Sequence, residues 1–293
     1  MTGSRPAVPP VGQGDAESAV RPAWLTVRRG GGPLVLSVPH AGTEIPPAIA
    51  SACVSVWRAR KDADWWIDRL YDFAERLDAT VVRTAIARTV IDVNRDPSGA
   101  SLYPGQNTTE LCPTTTFDGE PLYADGAAPD AAEVAHRRQA FFDPYHGALR
   151  AALDRLRQEH PVVVLYDAHA IRSVVPRLFE GTLPVFNIGT NSGAACAPPL
   201  TRAVVEHCAA AGLPYVVDGR FKGGYITRAY GRPQAGVHAI QMELAFRGYL
   251  AEPLGPVDEQ RWPPPYDPTG AALMRATLEA ILGVCLAFAH AAG

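Results

Sequence analysis

The sequence has little of what marks three large classes of protein. Its five cysteines are an odd number, are widely spaced and include no Cys-x-x-Cys pair, so neither a disulfide framework nor a thiolate zinc site is expected. A formal net charge of -3 offers no basic surface for nucleic acid. No apolar run is expected to reach the length of a membrane span. We therefore expect a cytoplasmic protein with neither nucleic-acid nor membrane partners.

The composition is typical of a globular enzyme with a short lead-in. Of the 293 residues, 47% are hydrophobic and 19% are charged, which is unlike a disordered chain. Residues 1–22 are rich in Pro, Gly, Ala and Ser and lack the apolar stretch of a signal peptide, so we expect a disordered N-terminal lead-in there. Residues 23–293 are then expected to form a single domain, a size that α/β domains reach.

Short apolar runs alternate with helix-period patterns at the spacing of βα units. Residues 34–38 and 162–166 have the length and composition of buried strands. The alternation predicts an α/β fold, a three-layer α/β/α sandwich around a mixed, mostly parallel sheet. Further strands are expected at residues 80–84, 90–93, 184–189, 215–217 and 237–243, and helices at residues 64–77, 131–159 with a break near Pro144, 199–211 and 270–289.

Two histidines follow buried strands, at the sheet edge where ligands of α/β proteins bind. His40 comes just after the run at residues 34–38, and His169 comes two residues after Asp167. Because residues i and i+2 of a strand share a face, Asp167 can fix the tautomer of His169. Two such histidines with one carboxylate would make a three-ligand zinc site, although other divalent metals also accept these ligands. Taken singly, a histidine at a strand end is more often structural.

The third ligand has three candidates among the acidic residues nearby. Glu44 lies four residues after His40, but Pro46 and Pro47 disfavour the helix that would bring the two together. Asp64 is the first residue of the next helical pattern, and Asp62 lies two residues before it. We favour Asp64, because the start of that helix can point back at the sheet edge.

Glu243 lies in an otherwise apolar strand, where a carboxylate is costly unless it is paired or functional. Burial raises the pKa of a carboxyl group, as a general base for activating water requires. The alternative is a buried salt bridge with an arginine.

Arginines near these strand ends predict an acidic ligand, since each guanidinium can bind a carboxylate through two hydrogen bonds. Arg95 follows the predicted strand at residues 90–93, and Arg172 follows His169 by three residues. Arg220, Lys222 and Arg228 lie in a Gly-rich segment, residues 219–231. Solvated loop charges are the alternative for each, and Lys222 is assigned to it. His146 is interpreted as a helix-surface or core histidine.

Several motifs together resemble the N-formylglutamate amidohydrolase (deformylase) family. They are PHAG at residues 39–42, DWWIDRLY at 64–71, VNR at 93–95, DAHAIRS at 167–173, GRFKGGYITRAYG at 219–231 and QME at 241–243. The resemblance implies a fold similar to zinc carboxypeptidases and other zinc exopeptidases. It also implies hydrolysis of N-formyl-L-glutamate to formate and L-glutamate, the last step of a histidine degradation route. The family usually has Ser at Ala170 and often His at Trp66, which leaves the acyl specificity open.

The resemblance also assigns roles to particular residues. It implies Zn²⁺ bound by His40, Asp64 and His169, with Glu243 as the general base. Arg95 would help to hold the oxyanion and, with Asn94, would bind a substrate carboxylate. The complete set expected to bind substrate is Asn94, Arg95, Arg172, Gly224 and Arg228.

Two other functions remain open from the sequence. One is hydrolysis of a different N-acyl amino acid or small peptide at the same metal centre. The other is a non-catalytic binding protein for acidic amino acids, which would use the arginines without a metal and would leave His40, His169 and Glu243 unexplained. A monomer and a homodimer both fit the sequence.

Overall fold

The computed structural model describes residues 21–253 and 255–291. The predicted lead-in, residues 1–22, therefore lies almost wholly outside the described residues. Seven strands form one sheet in the order β1-β3-β2-β4-β7-β5-β6. The strands are β1 Leu25–Arg28, β2 Leu34–Val38, β3 Thr80–Thr84, β4 Val163–Ile171, β5 Phe186–Gly189, β6 Tyr215–Val217 and β7 Val237–Ala245.

The sheet is mixed and mostly parallel, as predicted. Strands β2, β3, β4 and β7 run parallel where they pair, and so do β5 and β6. Only two pairings in the described sheet, β1 with β3 and β5 with β7, are antiparallel. The long central strands β4 and β7 are buried nearly throughout, as expected for strands covered on two faces.

Helices cover both faces of the sheet and complete the three layers. One core cluster packs α5 against the sheet, and the other packs α6 and α8 against the opposite face. The described helices are α1 Pro47–Ala52, α2 Val56–Arg60, α3 Ile67–Leu70, α4 Ala131–Arg137, α5 Asp143–Glu159, α6 Pro198–Ala210, α7 Tyr225–Tyr230 and α8 Ala272–Ala291.

The last helix, α8, is long and apolar enough to cross a membrane by length and composition. The expectation that no apolar run reaches that length is therefore wrong for this helix, which the sequence predicted only as the closing helix. One stripe of α8, including Met274, Leu278, Ile281 and Cys285, is buried against the sheet and α6. A helix that packs against the core of a domain can pass the same test, and α8 packs one face in this way.

Two local predictions differ from the structure, and a third is met by a change of helix type. Residues 90–93 form no strand: the Asp92 carboxylate accepts a hydrogen bond from the Asn94 backbone N–H at 2.9 Å, and this turn ends any extended conformation. The helix expected at residues 64–77 is a short α3 followed by the 3₁₀ helix Asp72–Leu77. The break expected near Pro144 is an interruption of the α-helical pattern by the π-helical turn Arg138–Phe142, and Pro144 lies in the first turn of α5 that follows, where proline is tolerated.

Candidate metal and substrate site

His40, Asp64 and His169 come together at the carboxyl ends of the central strands. The Nδ1 atoms of His40 and His169 are 3.1 Å apart, and Asp64 Oδ2 lies 3.2 Å from His169 Nδ1 and 3.7 Å from His40 Nδ1. A tetrahedral zinc ion with bonds of about 2.0–2.2 Å separates its ligand atoms by roughly 3.3–3.6 Å. The three side chains therefore have the spacing of one metal-binding group, and all three are buried.

Backbone contacts bring Asp64 to the two histidines, although it lies outside the sheet. The Asp64 N–H donates to the His40 carbonyl at 2.9 Å, and the Ala170 N–H donates to Asp64 Oδ2 at 3.1 Å. Asp64 is thus tied to the ends of both β2 and β4. The other two candidates lie elsewhere, since Glu44 is exposed and Asp62 accepts a hydrogen bond from the Phe117 N–H.

A carboxylate lies beside the Nε2 atom of both His40 and His169. His169 Nε2 lies 2.9 Å from Asp167 Oδ2, which confirms the predicted contact, and His40 Nε2 lies 2.7 Å from Asp92 Oδ1. His169 Nε2 also lies 2.9 Å from Asn94 Nδ2. The two carboxylate contacts favour a proton on Nε2, and in that tautomer the lone pair on Nδ1 faces the centre of the group. Asp92 was not among the predicted site residues, because residues 90–93 were predicted to be a strand.

Arg88, also missed from the sequence, bridges two of the carboxylates. Its guanidinium donates to Asp92 Oδ2 at 2.7 Å and to Asp64 Oδ1 at 3.3 Å. Burial alone would raise the pKa of Asp92, but the charges of His40 and Arg88 outweigh it and hold that pKa well below its usual range. The pKa of Asp64 is also lowered: its hydrogen bonds with His169 and His40 outweigh burial. Both carboxylates therefore stay ionised, as metal binding requires.

Glu243 faces the same site from the neighbouring strand. It lies directly opposite His169 in the parallel register of β4 and β7, and both residues line a cavity of about 50 Å³. Burial raises the pKa of Glu243 to about 8, although the charge of His169 opposes the shift. The side chain is 8% exposed, and its nearest recorded hydrogen bond comes from Gln241 Nε2 at 3.4 Å. The predicted alternative, a salt bridge with arginine, does not occur at Glu243 among the described residues.

Asn94 and Gly224 lie at this cavity, but the Asn94 side chain is engaged within the protein. Asn94 Nδ2 donates to Asp167 Oδ2 at 3.3 Å, and Asn94 Oδ1 accepts from the Ile226 N–H at 2.8 Å. A Cβ atom at Gly224 would lie 2.3 Å from Asn94 Nδ2, so the glycine permits this close approach. Asn94 therefore connects the start of α7 to Asp167, the carboxylate beside His169, and Gly224 leaves room for its side chain.

The arginines divide into two groups. Arg95 lines the cavity, with its Nε donating to the Thr109 carbonyl at 3.1 Å. Arg172 does not line it: the side chain is buried against Asp118 at 2.8 Å and Asp62 at 3.6 Å. Arg228 is also outside the lining, and its Nε donates to the Gly223 carbonyl. These positions give no support to substrate contacts by Arg172 or Arg228. Instead Arg220 lines the cavity.

Comparison with known proteins decides the family. The model of the N-formylglutamate amidohydrolase family matches residues 32–250. The chain belongs to this family. An N-formylglutamate deformylase from Pseudomonas aeruginosa is 48% identical over 229 residues, which span 78% of this chain and 86% of that protein. A deformylase of the same name from Pseudomonas putida is 46% identical over 78% of this chain and 85% of its own length.

Solved structures share the fold of this amidohydrolase. The crystal structure of an N-formylglutamate amidohydrolase from Ralstonia eutropha superposes with a TM-score of 0.75 at 22% identity, over 92% of this chain and all of that one. A protein from Agrobacterium tumefaciens gives a TM-score of 0.66 at 18% identity, over 90% and 94% of the two chains. Every site residue described above, from His40 to Glu243, lies inside the range that the family model matches.

Proposed function

We propose that this amidohydrolase cleaves N-formyl-L-glutamate to formate and L-glutamate with a bound divalent metal ion, zinc in the first instance. The names of the two Pseudomonas relatives support the substrate. The observation that carries the reaction type is the convergence of three ligand atoms beside a cavity that Glu243 also lines. We further propose that the reaction is the last step of a histidine degradation route.

The residues present fit a metal ion well. The inward atoms of His40, His169 and Asp64 lie 3.1 to 3.7 Å apart, which is close to the separation of ligand atoms around one tetrahedral ion. Asp64 adds a negative charge to the two neutral histidine donors, and three protein ligands leave a position free. When bound, the metal supplies Lewis acidity toward water and toward a carbonyl oxygen.

Glu243 is the proposed proton carrier. Its carboxylate takes a proton as water attacks the formyl carbon, and it delivers that proton to the amide nitrogen as the C–N bond breaks. A pKa near 8 is close to neutral pH, which suits a group that must both accept and donate a proton. Its position opposite His169 brings the carboxylate to the group of metal ligands.

Arg95 is proposed to bind the substrate where the cavity wall lies beside Asp92 and His40. Its Nε lies 3.8 Å from Asp92 Oδ2, beside the carboxylate that holds His40. From there the guanidinium can reach an oxygen of the substrate that lies next to the reacting carbon, either a carboxylate or the developing oxyanion. Asn94 acts differently, by positioning His169 through Asp167.

The test is formate release by the purified protein from N-formyl-L-glutamate, compared with release of the acyl group from N-acetyl-L-glutamate and N-succinyl-L-glutamate. We expect the formyl compound to be turned over fastest. Metal-dependent turnover of another acyl compound with none of the formyl substrate would keep the reaction type and contradict the substrate. Binding of glutamate by a metal-free protein without any turnover would favour the non-catalytic alternative.

We propose the cytoplasm as the site of action. All five cysteines are free thiols in the described structure, which suits a reducing compartment.

A further inference from the structure

Arg220 lines the same cavity as His40, His169 and Glu243. Its Nε donates to the Leu178 carbonyl at 2.8 Å, and its Nη2 donates to the Asn107 carbonyl at 2.8 Å. Both partners lie in loops that surround the cavity, and both residues line it. The guanidinium is therefore held in one place by fixed backbone groups.

Two aromatic rings lie against the Arg220 guanidinium. The Arg220 guanidinium carbon lies 5.5 Å from the centre of the Tyr103 ring and 5.4 Å from that of Phe221. The Tyr103 hydroxyl donates to the Gly223 carbonyl at 2.8 Å, so the ring is itself anchored to the Gly-rich segment. Such contacts orient a guanidinium without neutralising it.

The charge of Arg220 has no carboxylate partner within the part of the chain that the structure describes. Its recorded hydrogen bonds go to backbone carbonyls, whereas other half-buried or buried arginines, such as Arg88 and Arg172, pair with aspartates. Burial lowers the pKa of Arg220, and the charge of Arg95 adds to this, while Tyr103 and Glu243 oppose it. A half-buried cation at a cavity wall, with no described carboxylate at ion-pair distance, is suited to an anionic ligand.

We propose that Arg220 binds the side-chain carboxylate of the substrate and thereby selects acidic amino acids. The inference rests on the proposed function and deepens it. Arg95 lies beside Asp92, the carboxylate next to His40, whereas the hydrogen bonds and ring contacts of the Arg220 guanidinium are with other loop residues. These are Tyr103, Asn107, Leu178 and Phe221. A substrate whose formyl group lies at the metal-binding group would therefore extend its side chain toward Arg220.

The substrate charge gives the sharpest test. We would measure kcat/KM on N-formyl-L-glutamate and N-formyl-L-glutamine for the wild-type protein, Arg220→Gln and Arg220→Lys. We expect Arg220→Gln to lose about 10- to 100-fold on the glutamate substrate, mostly through KM, because a hydrogen bond to a charged group is lost. On the glutamine substrate the same variant should stay close to wild type. Arg220→Lys should recover part of the loss, since the charge remains.

Arg232→Gln is the matched control. Arg232 follows the same Gly-rich segment and also donates to backbone carbonyls, those of Arg228 and Gly231, but it is exposed and does not line the cavity. It should behave as wild type on both substrates. Equal losses of Arg220→Gln on the two substrates would overturn the proposal, because they would indicate a structural role. Equal losses in Arg220→Gln and Arg232→Gln would overturn it as well.

Binding of the product separates this inference from the proposed function. Calorimetry with L-glutamate and L-glutamine, on the wild-type protein and Arg220→Gln, needs no turnover. We expect Arg220→Gln to weaken the binding of L-glutamate and to leave the binding of L-glutamine unchanged. If N-formyl-L-glutamate were not hydrolysed but this binding difference held, the proposed function would fail and the role of Arg220 would stand. No effect of the variant on L-glutamate binding would overturn the role of Arg220.

Discussion

Three histidines of this protein are equally buried, yet the structure gives them different chemistry. His40, His146 and His169 are each 2% exposed. At the cavity, His40 and His169 each face a carboxylate with Nε2 and direct Nδ1 toward the other ring. On α5, His146 instead pairs its Nε2 with the Val93 carbonyl at 2.8 Å and its Nδ1 with the Tyr230 hydroxyl at 2.9 Å.

The difference shows that partners rather than burial decide what a histidine can do. Burial lowers the pKa of His146 to about 4, because its partners are neutral. Burial acts on His169 in the same sense, but the charge of Asp167 outweighs it and raises that pKa well above its usual value. Asp167 and Asp64 therefore favour a positive charge at His169, which is either a second proton or a metal ion that displaces it. His146, between a carbonyl and a hydroxyl, stays neutral and is a packing residue.

Removing a histidine from the metal-binding group should have the largest effect. We expect His169→Ala to lose its bound metal and to lower kcat by on the order of 10⁴-fold, since the Lewis acid is gone. His146→Ala is the control: it removes an equally buried ring, should lower the melting temperature and should keep the metal. Elemental analysis and formate release measure both. Metal retention by His169→Ala at the wild-type level would contradict the ligand assignment.

Glu243→Gln should separate chemistry from metal binding. The variant keeps nearly the same shape but removes the proton acceptor, so we expect kcat to fall by about 10³-fold while metal content stays unchanged. Gln241→Glu is not a suitable control, because that side chain contacts both Glu243 and Gly224. Near-wild-type turnover by Glu243→Gln would show that another group carries the proton.

Asp167→Asn tests the role of the carboxylate behind His169. The amide keeps the size of the side chain but no longer favours the tautomer with its proton on Nε2, so we expect metal affinity to fall by about 10- to 100-fold. A competition titration with a chelating dye measures this. An unchanged affinity would indicate that Asn94 or the backbone alone orients the ring.

The last prediction concerns stability rather than activity and involves His146. Its pKa is about 4 in the folded protein and about 6.5 when unfolded, so folding favours the neutral ring. The stability that this contributes is present above pH 6.5 and is lost as pH falls from about 6.5 to about 4, by on the order of 3 kcal/mol. The free energy of unfolding, measured with urea across that pH range, should change less with pH in His146→Asn than in the wild-type protein.

His136→Asn provides the comparison for that change with pH. His136 is an exposed residue of α4, so its replacement should leave the pH dependence of the free energy of unfolding as in the wild-type protein. If His146→Asn kept the full wild-type dependence on pH, some other group would cause the acid sensitivity.

Much of the fold could be predicted from the sequence, because the central strands of the sheet are buried on both faces. Residues 34–38 and 80–84 are apolar or β-branched runs, and both are strands in the structure. The edge strand β1 was missed, since its burial is partial and its pattern is weak. Residues 90–93 were wrongly predicted as a strand because the pattern of buried residues does not distinguish a packed loop from a strand.

The metal-binding group could be predicted in part, for a related reason. His40 and His169 end predicted strands, so parallel pairing brings them together. Arg88, Asp92 and Arg220 reach the site from loops, and nothing in their local sequence shows where those loops turn back. The same limit applies to Arg172, whose position beside His169 in sequence suggested the cavity but whose side chain pairs with Asp118.

The most direct measurement is metal content together with formate release from N-formyl-L-glutamate, before chelation, after chelation and after zinc is restored. We expect chelation to remove one metal ion per chain together with the activity, and added zinc to restore the metal content and the activity. His169→Ala should not recover activity under the same treatment. Full activity in protein freed of metal would contradict the assignment of His40, Asp64 and His169 as metal ligands.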